Sequence, residues 1–141
     1  TWVTPSPSGK ELYIAGNGSN KIFIVDVKEW KVKQTIETGE GPYNIAASPD
    51  GKYIITTLKN EGAVSVWSTD KGRQISKIKT STNIPHGVVI SPDNKYAFVS
   101  VEGVGGEAGK VDVISLEKLE LVDSAEVGKQ AGGIAFWKIS D

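Results

Sequence analysis

The side chain with the most versatile chemistry is His86, the one histidine in the chain. An imidazole can ligate a metal ion or carry a proton near neutral pH. Glu102 and Glu107 follow it and could add carboxylate ligands or orient the ring. A lone histidine can equally bond to the backbone of a neighbouring segment, which is a structural role. We therefore expect no metal site, with His86 as the one weak candidate, and no cofactor bound by this chain alone.

Other catalytic chemistries have less support in the sequence. The chain has no cysteine, which excludes a thiol nucleophile and thiolate metal ligands. No serine lies in a nucleophile elbow of the Gly-x-Ser-x-Gly type. The glycine-rich stretch from Gly103 to Gly109 matches neither a Gly-x-Gly-x-x-Gly pattern nor a Walker motif, and it is typical of a long hairpin tip. The sequence favours a protein that is not an enzyme but does not decide between the two.

Composition excludes several classes of partner. The 141 residues carry a net charge of −1 with opposite charges interspersed, so no basic patch predicts nucleic-acid binding. The longest apolar runs are about five residues, against roughly 20 for a membrane helix, so no membrane span is predicted. This length suits one domain, which we assign to residues 1–141.

A repeated phrase organises the chain. Ser6 to Lys10, Ser48 to Lys52 and Ser91 to Lys95 share a Ser-Pro start and a lysine end, and their serines are 42 and 43 residues apart. Proline, aspartate, asparagine and glycine at these places form turns, because proline presets φ and glycine or asparagine accepts a positive φ. A fixed period of this length is the mark of a repeat architecture.

Each repeat predicts four strands. A short apolar segment precedes the Ser-Pro turn, and two segments rich in β-branched and aromatic residues follow it. The fourth segment is more polar and bears lysines, as an outermost edge strand does. Four antiparallel strands every ~42 residues predict one blade of a β-propeller.

The fold class is therefore all-β, with three four-stranded antiparallel blades and one extra inner strand. The blades are predicted at residues 2–43, 44–86 and 87–132, and the closing inner strand at 133–137. Closed propellers have about 4–8 blades, so three form a partial ring. We expect either that the chain is a piece of a larger ring, which the missing initiator methionine favours, or that copies self-associate to close one.

The segment from Tyr13 to Asp26 resembles the YVTN-type β-propeller repeat, as do the segments Gly41 to Asn44 and Ile84 to Gly87 and the Ser-Pro phrase. The Tyr-Val-Thr-Asn tetrad that names the family is not kept here, since the corresponding residues of the first repeat are Tyr13-Ile14-Ala15-Gly16. The resemblance implies a bacterial or archaeal protein, commonly seven-bladed and often exported, so a periplasmic or extracellular location is expected from it.

The loop face beside the central channel is where a ligand is expected, since ligands bind loop clusters on rigid scaffolds. The residues predicted to bind a ligand or partner there are Tyr43, Asn44, Lys59, Asn60, His86, Glu102 and Glu107.

Two functions remain open at this point. The first is a non-enzymatic binding or interaction scaffold that presents this face to a protein or a small ligand. The second is an enzyme or redox subunit, such as a lactonase-like hydrolase or the partner of a metal- or haem-bearing oxidoreductase. A strong repeat with few catalytic groups favours the scaffold. The predicted partners are a protein, the remaining propeller blades, or a second copy of the chain.

Overall fold

Twelve strands and one short 3-10 turn, Asn17–Ser19, make up the computed structural model, which describes residues 2–138. The strands are β1 (Trp2–Pro5), β2 (Glu11–Gly16), β3 (Lys21–Asp26), β4 (Lys31–Glu37), β5 (Pro42–Ala47), β6 (Tyr53–Leu58), β7 (Ala63–Ser68), β8 (Arg73–Lys79), β9 (Ile84–Ile90), β10 (Tyr96–Glu102), β11 (Lys110–Ser115) and β12 (Glu120–Glu126). No helix in this range has the length and hydropathy to cross a membrane.

The strands form three antiparallel sheets in chain order, β1 to β4, β5 to β8 and β9 to β12. This confirms the prediction of three four-stranded blades. The inner strands of the second and third blades begin at Pro42 and Ile84, two to three residues before the predicted blade starts. Both strands open with a β-bulge, which interrupts the alternation of side chains that marks a strand.

The repeated Ser-Pro phrase is a turn in all three blades, as predicted. The Ser6, Ser48 and Ser91 hydroxyl oxygens accept the backbone N–H of the residue five positions later, at 3.1, 2.9 and 3.0 Å. In the third blade the Ser91 hydroxyl also donates to Asp93, and this bond holds the pKa of the Asp93 carboxyl below its usual value. One local network therefore closes the first hairpin of every blade.

The hydrophobic core lies between the blades. Between the first and second blades, Ile22 and Ile24 pack with Ile45 and Ile54. Between the second and third blades, a larger cluster includes Ile55, Val64 and Val66 of one blade and the following residues of the other: Val88, Ile90, Ala97, Val99, Val101, Ile114 and Leu116. Each strand thus sends alternate side chains to the blade before it and the blade after it.

Both end blades keep an apolar outer face. The repeat makes Val3 the counterpart of Ile45, yet Val3 is 52% exposed and Ile45 only 1%. Likewise Phe98 is the counterpart of the fully buried Ile55 but is only half-buried. In the second blade, side chains at these positions pack against the neighbouring blades. The first and third blades therefore each expose a surface that another blade would cover.

The predicted closing strand at 133–137 needs correction, because residues 131–138 have no regular secondary structure. A β-strand is defined by its backbone hydrogen bonds to a neighbouring strand. Within residues 2–138 this segment has no such strand to pair with. It nevertheless lies against the third blade, where the Phe98 and Phe136 ring centroids are 6.3 Å apart. A Cβ on Gly87 would come within 3.0 Å of the Gly132 carbonyl oxygen, so glycine is what permits this close approach.

The core between the first two blades carries a titratable group, Tyr13. Burial and the nearby Glu11 carboxylate raise the pKa of Tyr13 from 10.0 to about 12. Between these values the unfolded chain has lost the phenol proton while the folded chain keeps it, so stability falls as the pH rises through that window. We expect Tyr13→Phe to lose less stability between pH 9 and pH 11.5 than the wild type, measured by urea unfolding.

The matched control for this measurement is Tyr96→Phe, since Tyr96 is 40% exposed. That variant should keep the alkaline loss of the wild type. The same alkaline loss in Tyr13→Phe as in the wild type would contradict the assignment.

Candidate functional site

Two equivalent β-bulges build the centre of the loop face. In the second blade Pro42 pairs with Leu58 and Ile45 with Thr56, so Tyr43 and Asn44 together oppose the single residue Thr57. In the third blade Pro85 and Val88 pair with Val101 and Val99, so His86 and Gly87 oppose Ser100. A bulge of this kind bends the strand and redirects a side chain. Tyr43 and His86 are therefore strand residues placed by bulges, and not loop residues.

A hydroxyl opposite each bulge links one blade to the next. Thr57 accepts the N–H of Asn44 at 3.0 Å and donates to the carbonyl oxygen of His86 at 2.8 Å. Ser100 repeats the arrangement, accepting the N–H of Gly87 at 2.9 Å and donating to the carbonyl oxygen of Gly132. The Thr57 bond fixes the backbone that carries the His86 ring. The Ser100 bond holds the segment after β12 beside the third blade, in the position that the inner strand of a fourth blade would occupy.

Four side chains from two blades meet beside these bulges. The His86 Nε2 atom lies 3.3 Å from Glu102 Oε1, and the Lys59 Nζ atom lies 3.6 Å from the same oxygen. The Lys59 Nζ atom is also 4.8 Å from the centroid of the Tyr43 ring. The Tyr43 and His86 ring centroids are 4.4 Å apart at a tilt of 56°. We call Tyr43, Lys59, His86 and Glu102 the mouth cluster.

The hairpin that supplies Lys59 is held in place from both sides. The Lys59 backbone N–H donates to the carbonyl oxygen of Gly41 at 2.9 Å. Two residues on, the Glu61 carboxylate accepts bonds from Lys77 and from the backbone N–H of Glu40, at 2.7 and 2.5 Å. The Lys77 bond is the main reason that the pKa of Glu61 lies below its usual value. The backbone that carries the Lys59 side chain is therefore fixed.

The mouth cluster offers both donors and an acceptor to a ligand. The Lys59, His86 and Glu102 side chains are 31%, 22% and 20% exposed, so each can be reached from solvent while its stem is held. The cluster does not have the composition of a metal site. Glu102 and His86 supply two ligands, and a cation beside them would meet the Lys59 ammonium. Residues 2–138 hold no group of three metal-binding side chains.

Three further predicted site residues do not join the mouth cluster. Asn44 is 7% exposed and faces inward, and its Oδ1 atom has no hydrogen-bond partner among residues 2–138. Asn60 is exposed but lies against the backbone of Gly41. Glu107 is exposed on the long hairpin tip, where its backbone N–H bonds to Val104. The three side chains His86, Glu102 and Glu107, considered above as possible metal ligands, therefore do not come together.

The residues that sequence reasoning missed are the two hydroxyls, Thr57 and Ser100. Their signal was present in the repeat, because both occupy the same place in their blades, 43 residues apart. A bulge leaves a buried N–H group without its usual partner on the neighbouring strand. A small hydroxyl side chain in the middle of that apolar strand can accept the hydrogen bond instead. Alignment on the Ser-Pro phrase could have found them.

Thr57→Val should destabilise the protein by about 2 kcal/mol. The substitution keeps the shape of the side chain but leaves the buried Asn44 N–H and the His86 carbonyl without their partner. Urea unfolding monitored by tryptophan fluorescence measures the change. Thr35→Val, on the exposed strand β4, is the control and should cost less than about 0.5 kcal/mol. Equal effects of the two substitutions would show that the Thr57 bond contributes nothing.

The fold and the mouth cluster define the class of protein as a partial β-propeller. One of the two relatives described next, Rv1057, is a β-propeller by name. The chain is 32% identical over 117 residues to antigen Lp49 of Leptospira interrogans, an alignment that covers 67% of this chain and 26% of that protein. It is 25% identical over 133 residues to the seven-bladed β-propeller protein Rv1057 of Mycobacterium tuberculosis, covering 92% and 33%. No protein-family model matches the chain.

Solved structures show the same fold. Kuenenia stuttgartiensis hydrazine synthase matches with a TM-score of 0.83 and 29% identity, over 94% of this chain and 36% of that one. U3-55K and the RRP9 WD40 repeats match with TM-scores of 0.78 and 0.76 at 14% and 13% identity, covering 93% and 88% of this chain and 40% and 37% of theirs. At such identities the last two show the fold alone. The chain spans a third or less of the length of the two curated relatives.

Proposed function

We propose that the chain is part of a non-enzymatic binding scaffold, and that the mouth cluster is its contact site. The observation that carries the proposal is the convergence of Tyr43, Lys59, His86 and Glu102, from two blades, at one end of the inner strands. The bulges and the Thr57 bond fix the backbone that carries Tyr43 and His86. Preorganised side chains bind with a smaller loss of conformational entropy than flexible ones.

The chemistry of the mouth cluster favours binding over catalysis. The Glu102 carboxylate is shared by Lys59 and His86, so the charges are already paired before a ligand arrives. The cluster contains no serine or cysteine that His86 could activate as a nucleophile. The Tyr43 ring beside the imidazole of His86 is the feature that the mouth cluster shares with protein–protein contacts, whose centres are enriched in aromatic residues. A protein partner is therefore the ligand that this site supports best.

The rest of the scaffold belongs to the same proposal. The apolar outer faces of the first and third blades suit further blades, supplied either by a longer chain or by a second copy. The curated relatives, about three to four times longer than their aligned parts, favour the longer chain. The YVTN-type repeat and an exported, periplasmic or extracellular location are further parts of this proposal, and they are supported by the sequence resemblance.

A second candidate function is a part of a redox enzyme. The likeness to hydrazine synthase, at 29% identity over most of the chain, is the observation that favours it. The mouth cluster contains no cofactor-binding motif of its own, so in this case the propeller would support a partner that carries the cofactor.

Native mass spectrometry of the protein purified from its source tests the proposal, with co-purifying species retained. We expect a bound polypeptide with the wild type and its loss in the double variant Lys59→Ala/His86→Ala. The matched control is Tyr96→Ala/Lys118→Ala, which changes two exposed residues away from the mouth cluster and should keep the partner.

The outcomes separate the two functions. A partner kept by Lys59→Ala/His86→Ala would overturn the assignment of the mouth cluster as the contact site. Turnover of a substrate by the purified wild type, abolished by His86→Ala, would overturn the scaffold and establish an enzyme. A partner polypeptide that carries haem or a metal would support the redox subunit.

A further inference from the structure

A second site lies between the first and second blades, apart from the mouth cluster. A cavity of about 190 Å³ opens there, and one of its lining residues, Glu11, directly follows the Ser-Pro turn of the first blade. The volume is below the range for drug-sized ligands, which begins at about 300 Å³, so it suits a single small ring. We call this cavity the blade cleft, and the lining residues that matter for its chemistry are Glu11, Tyr13 and Lys33 of the first blade and Trp67, Thr69 and Gly72 of the second.

The repeat places different residues at the equivalent position between the second and third blades. Tyr53 and Ile75 stand there in place of Glu11 and Lys33, and both pack against the hydrophobic cluster that those two blades share. The strands and their register are the same at both positions. The polar lining of the blade cleft is therefore a property of its side chains and not of the propeller backbone.

The facing side of the cleft differs in the same way. Thr69 corresponds to Leu116, since the backbone N–H of each bonds to the lysine that ends the Ser-Pro phrase of its blade. Gly72 corresponds to Leu119, since both have a positive φ, 59° and 56°, in the turn after the third strand. Both leucines pack in the second interface, whereas a Cβ on Gly72 would have no atom within 4 Å. The cleft is open because these two leucines are absent from it.

The charged groups of the cleft are already paired with each other. The Lys33 Nζ atom lies 2.5 Å from Glu11 Oε1, and the Tyr13 hydroxyl donates to the other carboxylate oxygen at 3.2 Å. An ionic ligand would have to compete with this pair, so the lining favours a neutral ligand. The ammonium keeps further N–H donors and the carboxylate keeps further lone pairs. Hydroxyl groups match this mixture, because each can both donate and accept.

Trp67 adds an aromatic ring to this polar lining. It takes the place of the fully buried Ile114 of the third blade, and it is only partly buried against the cluster between the first two blades. The face of an aromatic ring is negative and attracts the weakly positive C–H groups that a sugar ring presents. A ligand that offers C–H groups on its faces and hydroxyls at its edge fits both parts of the lining.

We propose that the blade cleft binds one pyranose ring of a neutral sugar. The ring lies against Trp67, and its hydroxyls bond to Glu11, Lys33 and the exposed amide of Gln34, which also lines the cleft. The site shares no residue with the mouth cluster, so it stands or falls separately from the proposed function.

An NMR titration of the 141-residue protein with the methyl pyranosides of glucose, galactose and mannose tests the site. The backbone amide resonances of Lys33 and Thr69 report on the two sides of the cleft. We expect saturable shifts with at least one of the three sugars. Sorbitol has hydroxyls without the ring, and cyclohexanol has a ring with one hydroxyl, so both should bind at least about tenfold more weakly. A methyl glucuronide should bind no more tightly than the methyl glucoside.

Gly72→Leu copies the third blade and should weaken sugar binding at least about tenfold, because the new side chain fills the cleft. The matched control is Gly105→Leu, at another glycine with a positive φ and no atom within 4 Å of its Cβ, on the hairpin tip of the third blade. It should leave binding unchanged. If Gly72→Leu does not fold, Thr69→Leu replaces it as the test.

Four results would overturn the proposal: no binding of any of the three pyranosides, equal binding of sorbitol, tighter binding of the glucuronide, or unchanged affinity in the cleft variant.

Discussion

Replacing Asp112 with alanine should destabilise the protein by about 3 kcal/mol, because it removes three hydrogen bonds to a charged acceptor at once. Asp112 is fully buried on β11 and accepts three bonds: from the Ser81 backbone N–H at 2.7 Å, the Ser81 hydroxyl at 2.5 Å and the Ser124 hydroxyl at 2.7 Å. Ser81 lies in the connection between the second and third blades. One carboxylate thus joins two blades near their outer edge, and its loss breaks all three hydrogen bonds at once.

Chemical denaturation measures this effect, and Asp123→Ala provides the control. Asp123 is exposed on the neighbouring strand β12, where its removal should cost less than about 0.5 kcal/mol. A cost below about 1 kcal/mol for Asp112→Ala would show that water replaces the carboxylate, contrary to the prediction.

Ile55→Ala should destabilise the protein by about 3 kcal/mol, within the range for removing a buried isoleucine side chain. Ile55 is 0% exposed and packs in the cluster between the second and third blades, with Val99 and Val101 of the facing blade. The cavity left behind cannot collapse readily, because rigid strands surround it on both sides. The free energy of unfolding from urea titrations gives the value.

Phe98→Ala is an informative comparison, because Phe98 occupies the same place in the third blade. Its ring is larger, yet it lies on the open face with Phe136 as its aromatic neighbour. We expect its removal to cost less than the removal of Ile55. An equal or greater cost that rises with protein concentration would show that another copy covers the face in solution, since association then adds to stability.

The repeat made much of the fold predictable. The Ser-Pro turn, the segments rich in β-branched and aromatic residues and the period of 42 to 43 residues depend on local sequence, and the structure confirms the blades that they predicted. The mouth cluster was predicted in part, because inner-strand starts and hairpin tips meet at one face in any propeller. Tyr43, Lys59, His86 and Glu102 were identified for that reason.

The remaining features depend on contacts between blades, which no single stretch of sequence encodes. Asn44 was predicted to bind a ligand because it lies at the start of an inner strand, on the loop face. The bulge instead turns it inward. The strand predicted at 133–137 has an apolar pattern typical of an inner strand, but a strand also needs a pairing partner. Asp112 was not recognised as a link between blades, since an aspartate in an apolar strand gives no sign of which residue will bond to it.

The links between blades are unevenly distributed, and this sets an order in which the chain should open. The second and third blades are joined near the channel by the Thr57 bond and near the rim by Asp112. The first and second blades are joined at the connection between them, where Glu61 accepts the Glu40 N–H and Asn20 Oδ1 accepts the Gly41 N–H. The hydrophobic cluster that these two blades share is, however, the smaller of the two. Amide hydrogens of the first blade should therefore exchange with solvent earlier than those of the other two, which open together as one cooperative unit.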